Sequence, residues 1–130
     1  MGYRSDVALV VVKNEKAPTT IPELLALAKV ANANVEDSWQ GYDVRLEWDD
    51  ETFIFYIEHV KWYENYPEVQ CMEKLKELAL ETKQFSYAFS RVGEEIDDNE
   101  YIVEGECPPY DVLGINRSIC IDARVNIKGE

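Results

Sequence analysis

Phe53-Ile-Phe-Tyr-Ile-Glu-His-Val-Lys-Trp-Tyr63, then Glu64-Asn-Tyr-Pro-Glu68, then Val69 to Ala79 form one continuous run whose pattern changes twice. Phe53 to Ile57 is apolar at every position, so a strand there needs cover on both faces. From Glu58 the run turns amphipathic, and Val60-Lys-Trp-Tyr63 closes it. Asn65 stands three residues before Glu68, a capping-box spacing, with Pro67 in the first turn, where a missing N–H costs nothing. Val69, Met72, Leu75 and Ala79 follow helical spacing, joined by Cys71, Leu78 and Leu80. Glu73, Lys74, Lys76, Glu77 and Glu81 are assigned to the wet side. The spacing predicts a buried strand followed by an amphipathic helix.

The neighbouring segments fall into place around this pair. Val7 to Val12 is a second unbroken apolar run and predicts another central strand. Thr20, Pro22 and Glu23 repeat the capping device ahead of Leu24, Leu25, Leu27, Ala28, Val30 and Ala31, a short helix that ends near Asn32–Asn34. After a polar connection carrying Trp39, the residues Tyr42, Val44, Leu46 and Trp48 alternate with Asp43, Arg45, Glu47 and Asp49, as in a strand wet on one side. Asp49-Asp-Glu-Thr52 turns straight into Phe53, so these two strands form an antiparallel hairpin. Phe85, Tyr87 and Phe89 mark a fourth strand that ends at Arg91-Val-Gly93.

Strand, helix, strand, strand, helix, strand is the order of a ferredoxin-like βαββαβ sheet, an α+β architecture with two helices on one face. Its first and third strands are central, and here those two carry the unbroken apolar runs. Residues 93–114 are irregular, with Tyr101-Ile-Val103 a candidate short strand and Cys107-Pro-Pro109 a break. Ile115, Ile119 and Ile121 alternate with Asn116, Ser118 and Cys120 and predict an added C-terminal strand. Residues 123–130 read as its continuation or as a loose tail.

A chain of 130 residues is expected to be one domain, and 46% hydrophobic with 12% aromatic residues gives it a core to bury. Twenty-six acidic residues against thirteen basic leave a formal charge of −13. That field repels phosphates and anionic bilayers, so direct nucleic-acid or membrane binding is disfavoured, and a basic protein partner is favoured. The simpler alternative is a solvated acidic surface. No apolar run reaches membrane-spanning length and no signal peptide is evident, which predicts a cytoplasmic protein. Cys71, Cys107 and Cys120 show no CxxC pair and read as reduced thiols, while a lone His59 discounts a zinc site. No cofactor or metal is expected.

Four groups of residues are candidate sites. Glu94, Glu95, Asp97, Asp98 and Glu100, continued by Glu104 and Glu106, form an acidic stretch without a basic residue. It lacks the spacing of a calcium loop and suits a partner-binding surface or a plain solvated loop. Arg4, Arg91 and Arg117 are predicted at one end of the sheet, where three guanidiniums would grip a phosphate or carboxylate. The competing assignment has them neutralise Asp6, Glu94, Glu95 and Asp98. His59 with Glu58 suggests an acid–base pair, but neighbours on a strand point to opposite faces, and no nucleophile or phosphate loop is present. An enzyme is therefore not expected. Trp39, Trp48, Trp62, Tyr63 and Tyr66 fit a stacking platform or ordinary core and rim packing.

The segments Gly2-Tyr-Arg-Ser-Asp-Val7, Val60-Lys-Trp-Tyr63, Arg91-Val-Gly-Glu94 with Asp97-Asp98, and Arg117-Ser-Ile119 together resemble a family of small, mostly uncharacterised tailed-bacteriophage and prophage proteins. The resemblance runs to about Asp122. It implies an accessory protein working in a bacterial cytoplasm, of the kind that blocks a host defence or redirects a host enzyme, and it carries no catalytic residue with it. The expected function is thus an acidic inhibitor of a host defence or nucleic-acid enzyme. The alternative is a binder that sequesters an anionic nucleotide signal through Arg4, Arg91 and Arg117. One further expectation concerns assembly. Helices on one face leave the other face of Val7–Val12 and Phe53–Ile57 open, and the acidic 93–114 segment is a poor lid, which predicts a sheet-to-sheet homodimer.

Overall fold

The computed structural model describes residues 3–95, 97–106, 113–115 and 119–121. In chain order the elements are β1 (Ser5–Lys13), α1 (Ile21–Val30), α2 (Val35–Ser38), β2 (Val44–Trp48), β3 (Thr52–Val60), α3 (Pro67–Glu81), β4 (Phe85–Val92), β5 (Asn99–Glu104), β6 (Leu113–Ile115) and β7 (Ile119–Ile121). Five strands build one antiparallel sheet in the order β2-β3-β1-β4-β5, and β6 and β7 pair separately. The protein is α+β.

Alternation along each strand sorts the core into two layers. Val7, Leu9 and Val11 of β1, with Phe53, Phe55 and Ile57 of β3 and Phe85, Tyr87 and Phe89 of β4, pack against Ile21, Leu24 and Ala28 of α1, Val35 of α2, and Cys71, Met72, Leu75 and Ala79 of α3. All three helices therefore lie on one face, since each presents its apolar stripe there. The intervening residues Ala8, Val10, Ile54, Ala88 and Val92 form a second buried cluster on the other face. Unbroken apolar runs are what a sheet covered on both sides requires. No helix among the described residues is long and apolar enough to cross a membrane.

The structure corrects several expectations. The added strand of the main sheet is Asn99–Glu104, in register with β4 from Val92↔Asn99 to Tyr87↔Glu104, and not the predicted C-terminal strand. Ile115 and Ile119 instead belong to two separate strands and are register partners in the β6–β7 pair. β6 and β7 lie against β1 and β4. Ala8, Val10, Ile54 and Ala88 are inaccessible within a single chain, so the open apolar face from which a sheet-to-sheet homodimer was expected is not exposed at these positions. The expected loose tail, 123–130, lies outside the described residues.

Helix starts differ in a related way. Thr20 makes the predicted capping box with Glu23. The second box does not form: Tyr66 is the N-cap of α3 and gives no side-chain cap bond, while the Glu68 carboxylate accepts from the Tyr42 hydroxyl. A short helix, α2, capped by Asn34, occupies the connection read from sequence as polar.

Candidate functional site

The end of the sheet where β1 begins gathers most of the residues singled out from sequence. β1 and β3 fall out of simple register there, since Ser5 pairs with Val60 but Val7 pairs with Ile57. The extra residue makes a bulge at Glu58–His59, and His59 takes a left-handed φ of 54°. Two neighbours hold it. The His59 N–H donates to an Asp6 carboxylate oxygen at 3.0 Å, and Arg4 Nη1 donates to the His59 carbonyl at 3.0 Å. His59 and Glu58 are thus exposed bulge residues, and His59 is held through its backbone N–H and carbonyl.

Tyr3, Arg4 and Ser5 run across this end and fasten the turn between β4 and β5. The Tyr3 hydroxyl donates to Asp98 and accepts the Glu95 N–H, while the Tyr3 N–H donates to the Tyr63 hydroxyl. The Arg4 N–H donates to Glu94. Inside the turn Gly93 N–H reaches the Asp98 carbonyl at 2.8 Å, and a Cβ on Gly93 would overlap the Asp98 carboxylate and the Tyr3 hydroxyl.

Arg91 is the hub. All five of its N–H groups are used: Nε on Glu100, Nη1 on Ser5 and Asp98, and Nη2 on Asp98 and Glu100. Its side chain is 14% exposed, and the fork-to-carboxylate geometry with Asp98 closes at 2.6 and 3.2 Å. The Arg91 guanidinium, helped by the Tyr3 hydroxyl, holds the Asp98 carboxyl below its usual range. The same bond with Asp98 raises Arg91, and raises the Tyr3 phenol.

Beside this network lies an open trough between α3 and β5. Phe89, Ile102 and Trp62 give it apolar walls, Arg91 and Lys76 lie within it, and Glu64, Glu73, Asp98 and Glu100 rim it. Lys76 was assigned to the wet side of its helix but is buried, with Nζ 4.0 Å from the Phe89 ring centre and 3.1 Å from Glu73. Its position four residues after Met72 places it on the apolar stripe, and that spacing was the available signal.

The predicted residues divide accordingly. Glu94, Asp98 and Glu100 are structural partners of Arg4 and Arg91. The carboxylates of Glu95 and Asp97 have no ion-pair or hydrogen-bond partner among the described residues. Arg4 and Arg91 lie at the same end of the sheet but engage different partners, and Arg117 is outside the described residues. Of the aromatic residues, Trp39 is buried and stacks on Trp62 at 5.9 Å, and Trp48 stacks on Phe53. Tyr63 meets Tyr66 edge-on. Cys71 is a buried free thiol, pushed up by burial, with Ser38 acting in the opposite direction. Among the described residues no three of His, Cys, Asp and Glu are grouped to hold a metal. In comparisons with known proteins, no family model, curated protein or solved structure matches the chain.

Proposed function

We propose that this chain acts by binding a protein partner with a basic surface, presenting the β4–β5 turn and the adjoining trough as its recognition surface. One observation carries this: the acidic turn is braced from three sides by Tyr3, Arg4 and Arg91, yet the Glu95 and Asp97 carboxylates have no partner among the described residues. A turn fixed before binding gives up little conformational entropy on association, and unpaired charge at its tip steers an oppositely charged partner. Three of the short segments that resemble the phage family, Tyr3–Val7, Val60–Tyr63 and Arg91–Glu94, meet here. In that setting the partner is a host defence or nucleic-acid enzyme in the bacterial cytoplasm, and the chain is its inhibitor. For the fold, a ferredoxin-like βαββαβ unit with α2 and β5 as additions is the finer description we favour, supported by the alternation of elements through β4.

The nucleotide-sequestering alternative draws less support, because Arg91 has no N–H left for an anion. Capture from bacterial lysate, with mass spectrometry of both proteins and small molecules, separates the two. A basic protein released by raised salt supports the proposal. A co-purifying nucleotide with no protein partner contradicts it.

A further inference from the structure

We infer that the trough between α3 and β5 is an anchor socket for one arginine side chain, carried on an extended segment of the partner. This rests on the protein-binding proposal and names the chemistry that fills its site.

The floor sets the first requirement. Ile102 pairs with Phe89 across β4 and β5, so its side chain shares the helix-facing side of the sheet, yet it remains 37% exposed. With the half-buried Trp62 it forms an apolar and aromatic surface left open to water, above Phe89, which is itself buried and covered by Lys76. Such a surface gains from being covered by a flat or aliphatic group.

Charge sets the second. Four carboxylates line the trough against two cations, and both cations are already engaged, Lys76 with Glu73 and Arg91 with Asp98 and Glu100. An anion would meet surplus negative charge and no spare guanidinium donor on Arg91. A cation finds acceptors: among the described residues Glu100 uses only Oε1, leaving Oε2 without a partner, and the Glu64 carboxylate has none. Glu73 and Glu100 are 51% and 48% exposed, so they can turn toward a ligand without losing burial.

Arginine satisfies both requirements. Its planar guanidinium stacks on an aromatic face while its N–H fork meets a carboxylate, and its methylene stem covers aliphatic surface. Lysine supplies the charge and stem but neither the fork nor the flat face.

The test titrates the isotopically labelled full chain with acetyl-Ala-Leu-Arg-Leu-Ala-amide and with its Lys and Glu counterparts, followed by NMR. The expected result is saturable shifts centred on the Trp62 indole, the Ile102 methyls and Glu100, with the Arg peptide several-fold tighter than Lys and at least about tenfold tighter than Glu. Ile102→Arg should abolish the saturable shifts by filling the trough from within, and Ile102→Ala should weaken them. Val30→Arg, the same charge change at an 85% exposed site on α1, should leave them in place. Well-dispersed spectra for each variant verify that it is folded. Equal losses from Ile102→Arg and Val30→Arg, or shifts spread over α1 and β2, would reduce the interaction to diffuse electrostatics and overturn the socket while leaving the acidic-surface proposal standing. Absence of shifts with the Arg peptide at low salt overturns the socket as well. The broader proposal fails separately, if neutralising Glu95 and Asp97 leaves partner association unchanged.

Discussion

Replacing Ile54 with Ala examines the face of the sheet that the helices do not cover. Ile54 is inaccessible in the middle of β3, clustered with Ala8, Val10, Ala88 and Val92. The change deletes three carbons, which at about 0.8 kcal/mol each represents about 2.4 kcal/mol of lost burial. The small residues around it leave little to collapse into the space, so a cavity contribution brings the expected loss to about 3–4 kcal/mol. For a chain of this size that corresponds to a fall in Tm of about 10–15 °C. Urea unfolding followed by tryptophan fluorescence measures it, and an unchanged m-value confirms that the same surface is exposed. A loss below about 1 kcal/mol would mean that this face is open in the isolated chain. Protein concentration supplies a second check. Cover by β6 and β7 within one chain makes the midpoint independent of concentration, whereas cover by a second copy makes it rise with concentration.

Three other outcomes are expected. Because Arg91 and Tyr3 depress the folded pKa of Asp98, its contribution to stability is present above about pH 4 and is lost as pH falls through the lower folded value. Acid unfolding of Asp98→Asn should lack that step, and an identical acid limb would contradict the network. His59→Gly should raise stability by up to about 1 kcal/mol, measured in urea, by relieving the left-handed backbone at the bulge, while a clear loss would show that the imidazole itself supports the fold. Gly93→Ala should displace the Asp98 carboxylate from the Tyr3 hydroxyl and remove the same acid step, and a retained step would refute that close packing.

The backbone plan was largely visible in the sequence because it follows periodicity. Val7–Val12 and Phe53–Ile57 are apolar on both faces and take interior positions in the sheet. Val44–Trp48 alternates and lies at an edge. The capping box at Thr20 was equally plain. What periodicity misses is competition among partners. Glu68 had the right spacing to cap α3, but a tyrosine distant in sequence, Tyr42, claims its carboxylate. Lys76 looked like a solvent residue by type, although its spacing placed it over Phe89. The acidic stretch was legible as charge but not as division of labour, because three of its five candidate carboxylates are consumed by groups from other segments. That distinction depends on Tyr3, Arg4 and Arg91 arriving from elsewhere in the chain, which no local pattern encodes.

Association kinetics between this chain and its captured partner, followed across a salt series, test the proposed function most directly. The comparison is between the natural chain and the double variant Glu95→Gln/Asp97→Asn, whose substitutions leave the Tyr3–Arg91–Asp98 network untouched. The natural chain should associate faster at low salt and slow steeply as salt rises. The double variant should start slower and converge with it at high salt, with an unchanged unfolding midpoint. Rates that are equal for the two proteins at every salt concentration would contradict binding through this acidic surface.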